Sequence, residues 1–443
     1  MKQILIIGAG RSSIFLIEYL LQKSIQFNWE ITVGDVDIQL AQSKINNHSN
    51  GKAIAFDINN AKQREDEISK SDVVISMLPA FMHGDVAKDC VRLGKHMATA
   101  SYVSETMQEL DNEAKNKGII LLNEIGLDPG IDHASALKII DELKANGCDI
   151  HTFKSFCGGL VAPESNDNPW GYKFSWNPRN VILAGQGTAQ YLENGKMKFL
   201  PYNRIYTQTE TIEVENYGKF DAYANRDSVG YKEIYGLQNI KTMLRGTLRM
   251  PGYCKAWNAF VKLGLTDDTW KIHESDQLTW AQLINAFLPE GNNSLEEKLK
   301  QFLGSEVDEV VMNKLKWLGI FEELPIKISN ATPAQILQSL LEEKWKLNSG
   351  DKDMIVMQHY FGYTENKKEK AIVSSLVVKG ESESHTAMAK TVGLPLAITV
   401  KNILTGKLNC KGVCIPSTPE IYNPLLNELK EFGIEFDERQ LFN

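Results

Sequence analysis

Four ionisable side chains lie within one short segment, NEIGLDPGIDH, at residues 123–133. Glu124, Asp128, Asp132 and His133 surround two glycines and a proline, where an apolar run gives way to a helix-like pattern. Carboxylates and imidazoles are groups that proteins use to bind amines and to move protons near neutral pH. The segment therefore predicts proton transfer or amine binding, if its neighbours place it beside a substrate.

The first 125 residues indicate what those neighbours are, because short apolar runs alternate there with helix-like stretches. The strand-like runs cover residues 3–8, 30–35, 52–57, 72–78, 96–101 and 119–126. Strands that alternate with helices of this length predict a parallel sheet with helices on both faces. The carboxyl ends of parallel strands line a ligand crevice, so residues 123–133 are expected to face a ligand.

The rest of the chain follows other patterns. Short polar–apolar runs at 150–260 predict an antiparallel sheet with long loops, and apolar spacings of three and four at 255–347 predict helices. Thr332 is the expected N-cap of one of these helices, directly before Pro333. More than one domain is expected, which agrees with a length of 443 residues.

Composition argues against several classes of protein. The chain is 43% hydrophobic and 23% charged with a net charge of −8, so nucleic acid and anionic membranes are not expected partners. No apolar run approaches eighteen residues, so no membrane span is expected. The six cysteines are scattered without a CxxC pair, and no secretory signal is recognisable at the N-terminus. Reduced thiols, a cytoplasmic location and the absence of a metal site are therefore predicted.

A glycine-rich loop, GAGRSS at residues 8–13, lies between the first strand and the first helix. Gly8 would allow the tight turn, and Gly10 would let a pyrophosphate approach the backbone at the helix N-terminus. The third position of the dinucleotide fingerprint is a serine, so the match is incomplete. The residues predicted to contact the cofactor here are Gly8, Gly10, Arg11, Ser12 and Ser13.

The ends of the second and fourth strands extend this predicted nucleotide site. Asp35 ends the second strand, where a carboxylate can bind an adenosine ribose 2′-hydroxyl and would repel a 2′-phosphate. This chemistry favours NAD over NADP, which stays possible; the alternative is that Asp35 only caps a turn with Gly34. Ser76, Met77 and Leu78 end the fourth strand and are expected beside the nicotinamide half of the cofactor.

Several long motifs resemble the saccharopine dehydrogenase family of the L-glutamate-forming type, also called saccharopine reductases. The resemblance runs over nearly the whole length, which makes it more specific than a lone glycine loop. The motifs are ASYVS (100–104), NEIGLDPGIDH (123–133), SFCGGLVAPESNDNPWGYKFSW (155–176), NRDS (225–228), RGTLR (245–249), KWLGIF (316–321) and TAMAKTVGLP (386–395).

The resemblance implies an oxidoreductase of lysine metabolism that interconverts saccharopine with L-glutamate and 2-aminoadipate 6-semialdehyde, using a nicotinamide cofactor. It implies an α/β fold with a Rossmann-type doubly wound parallel sheet, a mixed α+β substrate domain and a helical insertion. A homodimer is the family-level expectation. The expected ranges are 1–125 with about 400–443 for the dinucleotide-binding domain, 126–254 with about 348–399 for the substrate domain, and 255–347 for the insertion.

Matching the family's motifs position by position implies three catalytic candidates. Oxidation of a secondary amine requires a neutral amine, and hydrolysis of the resulting imine requires proton transfer, so titratable groups must lie nearby. Asp128 would pair with the substrate amine or with water, and Tyr102 and Cys157 would assist; a buried structural role is the alternative for the last two. The other ionisable residues of segment 123–133 are expected to brace their loop by capping the next helix.

A tricarboxylate substrate requires cationic partners, and arginine can bind a carboxylate through two hydrogen bonds. Arg226 and Arg249 match the family's carboxylate-binding positions, with Ser101 and Thr247 as hydroxyl donors. The alternative for either arginine is a surface ion pair. Trp176 is expected to pack against the nicotinamide or the substrate, with core packing as its alternative.

Two other functions stay open. A reductive C–N enzyme of polyamine metabolism, similar to carboxynorspermidine dehydrogenase, would use a related scaffold, but a polyamine requires a site lined by acids rather than arginines. A non-catalytic NAD(H)-binding protein would bind the cofactor without hydride transfer.

Overall fold

Strands and helices alternate over residues 2–145 in the computed structural model, which describes residues 1–184, 186–304 and 307–442. The strands are β1 (Lys2–Ile7), β2 (Trp29–Asp35), β3 (Gly51–Ala55), β4 (Val73–Ser76), β5 (His96–Ala98) and β6 (Ile120–Leu122). The helices are α1 (Ile14–Phe27), α2 (Ile38–Ile45), α3 (Ala61–Lys70), α4 (His83–Leu93), α5 (Glu105–Glu109), α6 (Asp111–Lys117) and α7 (Ile131–Ala145). The last four residues of β1 are apolar and buried, as expected for a central strand covered on both faces.

All seven strands of the first sheet run parallel. Their order is β15-β6-β5-β4-β1-β2-β3, where β15 (Gly412–Cys414) comes from the C-terminal part of the chain. The chain progresses to one side of β1 through β2 and β3, and to the other side from β4 onward. This reversal creates a crevice at the carboxyl edge between β1 and β4, where dinucleotides bind in sheets of this kind. The predicted Rossmann-type sheet is confirmed.

Two units divide the chain. The first comprises Met1–Asp149 and Leu376–Asp437, and the second comprises Ile150–Ser375 with a C-terminal piece that begins at Glu438. The predicted ranges 126–254, 255–347 and 400–443 also include residues 185, 305, 306 and 443, which lie outside the described part of the chain.

The first unit takes in more of the chain than the predicted ranges 1–125 and 400–443. Helix α7 belongs to it, as do α16 (Ala387–Leu404) and α17 (Pro419–Leu429). Gly393 allows α16 to pack directly on α1, because a Cβ there would lie only 2.9 Å from the backbone nitrogen of Leu16. Nearly every residue of α16 is buried, so the helix is a core element of this unit.

The second unit contains a mixed nine-stranded sheet. Its main path is β10-β11-β12-β7-β13-β14-β16, and β8 and β9 pair beside β12. Strand β12 runs parallel to β7, whereas β10, β11 and β12 pair antiparallel. The strands are β7 (Asp149–Val161), β8 (Ala189–Glu193), β9 (Lys196–Leu200), β10 (Thr209–Val214), β11 (Gly218–Ala224), β12 (Thr242–Arg249), β13 (Asp353–Glu365), β14 (Lys368–Lys379) and β16 (Asp437–Phe442).

Two details of this sheet differ from the sequence predictions. The segment 150–260 was predicted to form an antiparallel sheet with long loops, but β12 and β7 are parallel because a long connection containing other strands joins them. The segment 400–443 was expected to complete the Rossmann domain; β15 does join the first sheet, whereas β16 lies in the second. The predicted mixed α+β architecture is confirmed.

The helices of the second unit share one hydrophobic core with its strands. A large cluster of buried residues includes Tyr223 from β11 as well as Trp257, Leu315 and Trp345 from the stretch 255–347. Thr332 caps the last of these helices, accepting from the Gln335 amide as predicted.

Among the described residues, none of the helices has both the length and the apolar character needed to cross a bilayer. The helices of the second unit are α8 (Pro178–Ile182), α9 (Tyr202–Ile205), α10 (Tyr231–Ile234), α11 (Tyr253–Leu263), α12 (Trp280–Ala286), α13 (Leu295–Leu303), α14 (Glu309–Leu318) and α15 (Pro333–Lys344).

Candidate active site

The glycine loop joins β1 to the helical turn that precedes α1. Gly8 has a backbone φ of +103°, which favours glycine, and a Cβ there would lie 3.1 Å from the carbonyl oxygen of Met77. Around Gly10, by contrast, a Cβ would meet no described atom within 4 Å. The loop therefore has a packed turn followed by open space at a helix N-terminus, and this fits the pyrophosphate of a dinucleotide.

The Asp35 carboxylate is tied to this loop. Its Oδ2 accepts from the Ala9 amide at 2.7 Å, and its Oδ1 accepts from the Asp37 amide at 3.0 Å. Asp35 therefore braces the glycine loop through the Ala9 amide and the turn after β2 through the Asp37 amide, and it also places a negative charge beside the glycine loop. Of the other predicted contacts, Arg11 is exposed and Ser13 is buried with its hydroxyl donating to the Gly10 carbonyl oxygen at 2.8 Å. Ser12 is half-buried.

A buried histidine that was missed in the sequence, His83, connects the ends of β4 and β5. Its Nδ1 lies 2.8 Å from Ser76 Oγ, and its Nε2 lies 2.7 Å from Ser101 Oγ and 3.2 Å from Thr99 Oγ1. Burial lowers the pKa of the His83 imidazole to about 4, so it is neutral near pH 7. The available signal was its position, since His83 opens the helix that follows β4 and must lie at the carboxyl edge of the sheet.

The segment that carries Tyr102 is fixed on both sides. Before it, the Ser101 carbonyl oxygen accepts from the Glu124 amide at 3.0 Å; after it, the Val103 amide donates to Glu124 Oε1 at 3.0 Å. Tyr102 is half-buried between these two anchors. The predicted catalytic tyrosine and the acid-rich segment 123–133 are thus brought together within the first unit.

Asp128 lies at the tip of a closed loop. The Gly126 amide donates to the Pro129 carbonyl oxygen at 2.9 Å, and the Ile131 amide donates to the Gly126 carbonyl oxygen at 2.9 Å. A Cβ on Gly130 would lie 2.1 Å from the Gly126 oxygen, so the two backbone strands of the loop are in direct contact. The half-buried Asp128 side chain is therefore presented by a rigid support.

Among the other ionisable residues of this segment, Asp132 binds the backbone at the start of α7 as predicted, whereas Glu124 and His133 brace the segment by pairing with each other. Glu124 Oε2 lies 2.9 Å from His133 Nε2, and both side chains are buried. Asp132, in the first turn of α7, accepts from the Gly130 amide at 2.6 Å. Because Glu124 also accepts from Val103, the pair links α7 to the Tyr102 segment.

The predicted residues of the second unit lie on neighbouring strands. Thr247 of β12 is in register with Cys157 of β7 on one side and with Tyr223 of β11 on the other. Thr247 and Arg249 lie two residues apart and so project from the same face of the sheet. Cys157 is buried, and Thr247 is half-buried.

Arg249 is a buried cation in an aromatic enclosure. Its side chain is 4% exposed, and its guanidinium lies 5.2, 5.9 and 5.4 Å from the ring centres of Tyr172, Tyr223 and Tyr253. One guanidinium nitrogen donates to the Leu248 carbonyl oxygen at 3.0 Å, whereas Nε has no hydrogen-bond partner among the residues that the structure describes. Within the described residues, no carboxylate forms an ion pair with Arg249.

The other two predicted residues of the second unit, Arg226 and Trp176, are placed differently. Arg226 follows β11 with a left-handed backbone, φ +49°, and its side chain is exposed. Trp176 is half-buried against the core of the second unit, and its Nε1 donates to the Tyr172 hydroxyl at 3.3 Å. Trp176 therefore has the core contacts of its alternative interpretation. Met77 and Leu78 of the first unit are half-buried at the end of β4.

Two family models match this chain over nearly its whole length. The "Saccharopine dehydrogenase NADP binding domain" matches residues 4–122, and the "Saccharopine dehydrogenase C-terminal domain" matches residues 126–434. The chain belongs to the saccharopine dehydrogenase family. The resemblance drawn from the motifs is confirmed, and neither the polyamine enzyme nor the non-catalytic NAD(H)-binding protein is favoured.

Similar proteins agree with this membership. The chain is 34% identical to the NADP(+), L-glutamate-forming saccharopine dehydrogenase of Schizosaccharomyces pombe, over 99% of both chains. It is 37% identical to the mitochondrial alpha-aminoadipic semialdehyde synthase of Mus musculus, covering 98% of this chain and 47% of that protein. The solved apo saccharopine dehydrogenase (L-Glu forming) of Saccharomyces cerevisiae superposes with a TM-score of 0.90 over 100% of both chains at 32% identity.

The comparisons also bear on the cofactor. Both the N-terminal family model and the fungal relatives carry NADP in their names. A nicotinamide cofactor is therefore supported, and these names favour NADP, which is opposite to the predicted preference for NAD.

Replacing His83 should change how stability depends on pH. The folded-state pKa lies below the ordinary value of 6.5, so below pH 6.5 the unfolded chain gains a proton that the folded chain resists. Stability therefore falls as the pH decreases from 6.5 toward 4. When the pH is lowered from about 7 to about 4.5, the unfolding free energy of the wild type should fall. The unfolding free energy of His83→Gln should fall by about 2 kcal/mol less. Urea denaturation at both pH values measures this, and an equal loss in the two proteins would contradict a buried neutral imidazole.

Proposed function

We propose that this chain catalyses the reversible conversion of saccharopine, a nicotinamide dinucleotide and water into L-glutamate, 2-aminoadipate 6-semialdehyde and the reduced dinucleotide. Relatives that match over their full length carry this activity in their names. The open space at Gly10 beside a helix N-terminus fits the cofactor's pyrophosphate. When bound, the nicotinamide would accept a hydride from the carbon next to the secondary amine.

One observation carries the assignment of a carboxylate substrate. Arg249 is buried without a carboxylate partner in the described residues, and burying an unpaired charge is costly. Burial raises the pKa of Tyr172 and Tyr253, so these phenols stay neutral and supply no counter-charge. A substrate carboxylate would supply it. Thr247, on the same strand face, would donate its hydroxyl to the same substrate.

For the other predicted residues, we propose the roles that the sequence motifs imply. Asp128, on its closed loop, would hold the substrate amine or a water, with Tyr102 and Cys157 as further groups for proton transfer during imine hydrolysis. The exposed Arg226 would bind a second carboxylate, and Ser101 would donate a hydroxyl to the substrate.

We propose NAD as the preferred dinucleotide, against the names of the fungal relatives. Asp35 ends β2 beside the glycine loop, where a ribose 2′-hydroxyl would donate to it and a 2′-phosphate would be repelled. The carboxylate is held in place by the amides of Ala9 and Asp37, so it cannot move aside without breaking both hydrogen bonds.

The compartment and the oligomeric state stay predictions. None of the six cysteines, all of which lie in the described part of the chain, forms a disulfide bond, which agrees with a reducing compartment such as the cytosol. The mammalian relatives are mitochondrial by name. A homodimer remains the family-level expectation.

The activity is tested by adding saccharopine to the purified protein with either NAD or NADP and following absorbance of the reduced nicotinamide. We expect turnover with a higher kcat/KM for NAD, and glutamate as a product by mass spectrometry. Carboxynorspermidine serves as the comparison substrate. Cofactor binding without turnover of saccharopine would overturn the proposal.

Removing the charge of Asp35 should reduce the difference in kcat/KM between NAD and NADP. Asp35→Asn keeps a hydrogen-bond acceptor for the Ala9 amide but no longer repels a 2′-phosphate. We expect the ratio of kcat/KM for NADP to that for NAD to rise about tenfold, equivalent to about 1.4 kcal/mol. Asp37→Asn is the matched control, since Asp37 caps α2 two residues later and should leave the ratio unchanged. An unaltered ratio in Asp35→Asn would refute the role given to this carboxylate.

Replacing Arg249 should separate ligand binding from stability. Arg249→Met fills a similar volume without a charge, so the melting temperature should be retained or raised. Loss of a charge-assisted bond of about 2–3 kcal/mol should raise KM for saccharopine roughly 30- to 150-fold. Arg179→Met is the control: Arg179 pairs with Asp268, so its loss should lower the melting temperature and leave KM unchanged. An Arg249→Met protein with lowered melting temperature and normal KM would contradict the proposal.

A further inference from the structure

We propose that His83 is a positioning residue for the reaction: it holds the Ser101 hydroxyl and thereby fixes the segment that carries Tyr102. This inference rests on the proposed function, because it gives Ser101 and Tyr102 the roles described there. His83 itself need not touch the substrate.

The geometry around the ring carries the inference. Ser76 Oγ lies 2.8 Å from Nδ1, and Ser101 Oγ lies 2.7 Å from Nε2. A neutral imidazole has one N–H donor and one acceptor nitrogen, and a hydroxyl can serve either. Both ring nitrogens are therefore satisfied, and the orientation of the buried ring is determined. Since Thr99 Oγ1 also lies 3.2 Å from Nε2, three hydroxyls surround one histidine.

The elements that supply these groups converge on one edge of the parallel sheet. Ser76 is the last residue of β4, Ser101 follows β5, and His83 is the first residue of α4. Parallel strands end on the same edge, and the crevice between β1 and β4 opens there. The imidazole thus links two neighbouring strand ends beside the expected nicotinamide position.

Tyr102 lies between two independent anchors. The residue before it is held through its hydroxyl by His83, and the residue after it is held through its amide by Glu124 Oε1 at 3.0 Å. Loss of the His83 anchor would leave the Glu124 anchor in place. The segment would then stay folded but sample more positions, and small displacements of catalytic groups cost rate.

Proton transfer by His83 is not part of this role. The ring is 4% exposed and burial alone lowers its pKa to about 4, so its protonation does not change across the neutral and alkaline range. A non-titrating side chain that keeps the hydrogen bonds should therefore replace it.

Three variants test the inference. His83→Phe keeps a ring but removes both hydrogen bonds, and it should lower kcat about tenfold or more while KM for saccharopine changes less than about threefold. His83→Gln can donate and accept, and it should recover kcat to within about threefold with an unchanged pH profile. His96→Phe is the matched control, because His96 lies in β5 and its Nδ1 accepts from the Ile120 amide, away from this network; it should leave kcat unchanged.

A second measurement does not depend on turnover. Amide hydrogen exchange of a peptide covering residues 99–104 should be faster in His83→Phe than in the wild type, and close to the wild type in His83→Gln and His96→Phe. If the wild type fails to turn over saccharopine while this exchange pattern appears, the proposed function fails and the positioning of the segment stands. Unchanged exchange in His83→Phe, or a kcat equal to the wild type, would overturn the inference.

A double variant distinguishes action through Ser101 from a general effect on folding. Ser101→Ala removes the hydroxyl that His83 holds, so adding His83→Phe to it should cause less than the product of the two separate losses in kcat. Fully multiplicative losses would show that His83 acts independently of Ser101, and they would contradict the inference.

Discussion

The parallel alignment of seven strands is the constraint on which the first unit depends. Because all of these strands end on the same edge, loops from distant parts of the sequence must meet there. At Gly8, a positive φ and the close approach to Met77 join the turn after β1 to the end of β4. The same alignment brings Ser76 and Ser101 within reach of one imidazole.

Buried polar residues in the two units have different kinds of partner at the positions considered for the site. In the first unit, His83 is neutral and hydrogen-bonded through both nitrogens, and Glu124 is paired with His133. Networks that are satisfied in this way hold loops in one arrangement. In the second unit, Arg249 keeps its charge among tyrosine rings, and no carboxylate among the described residues pairs with it. The proposed binding of a substrate carboxylate would supply the counter-charge that this buried guanidinium lacks.

Membership of a family does not by itself determine which dinucleotide a protein prefers. Relatives that share about a third of their residues with this chain show the fold and the family, but a preference between two dinucleotides depends on a few side chains near one ribose. The Asp35 carboxylate is held by two backbone amides rather than left free to rotate. Its proposed role beside the ribose favours NAD, whereas the names of the fungal relatives favour NADP.

The sequence by itself determined the features that depend on neighbouring residues. The alternation of apolar runs and helices was enough to predict the parallel sheet. Glycines between a strand and a helix were enough to predict the tight turn of the glycine loop, and Thr332 before Pro333 was enough to predict a helix cap. Motifs of several residues were enough for the family. These signals are local, since each is formed by residues within one strand, turn or helix.

Only the tertiary structure decided which distant segments meet. It paired β12 in parallel with β7, placed α16 on α1 through Gly393, and moved β16 into the second sheet. It also gave His83 three hydroxyl neighbours and enclosed Arg249 in tyrosine rings. No local pattern contains this information, because burial and hydrogen bonding at these positions depend on side chains that lie far apart in the chain and come together only when it folds.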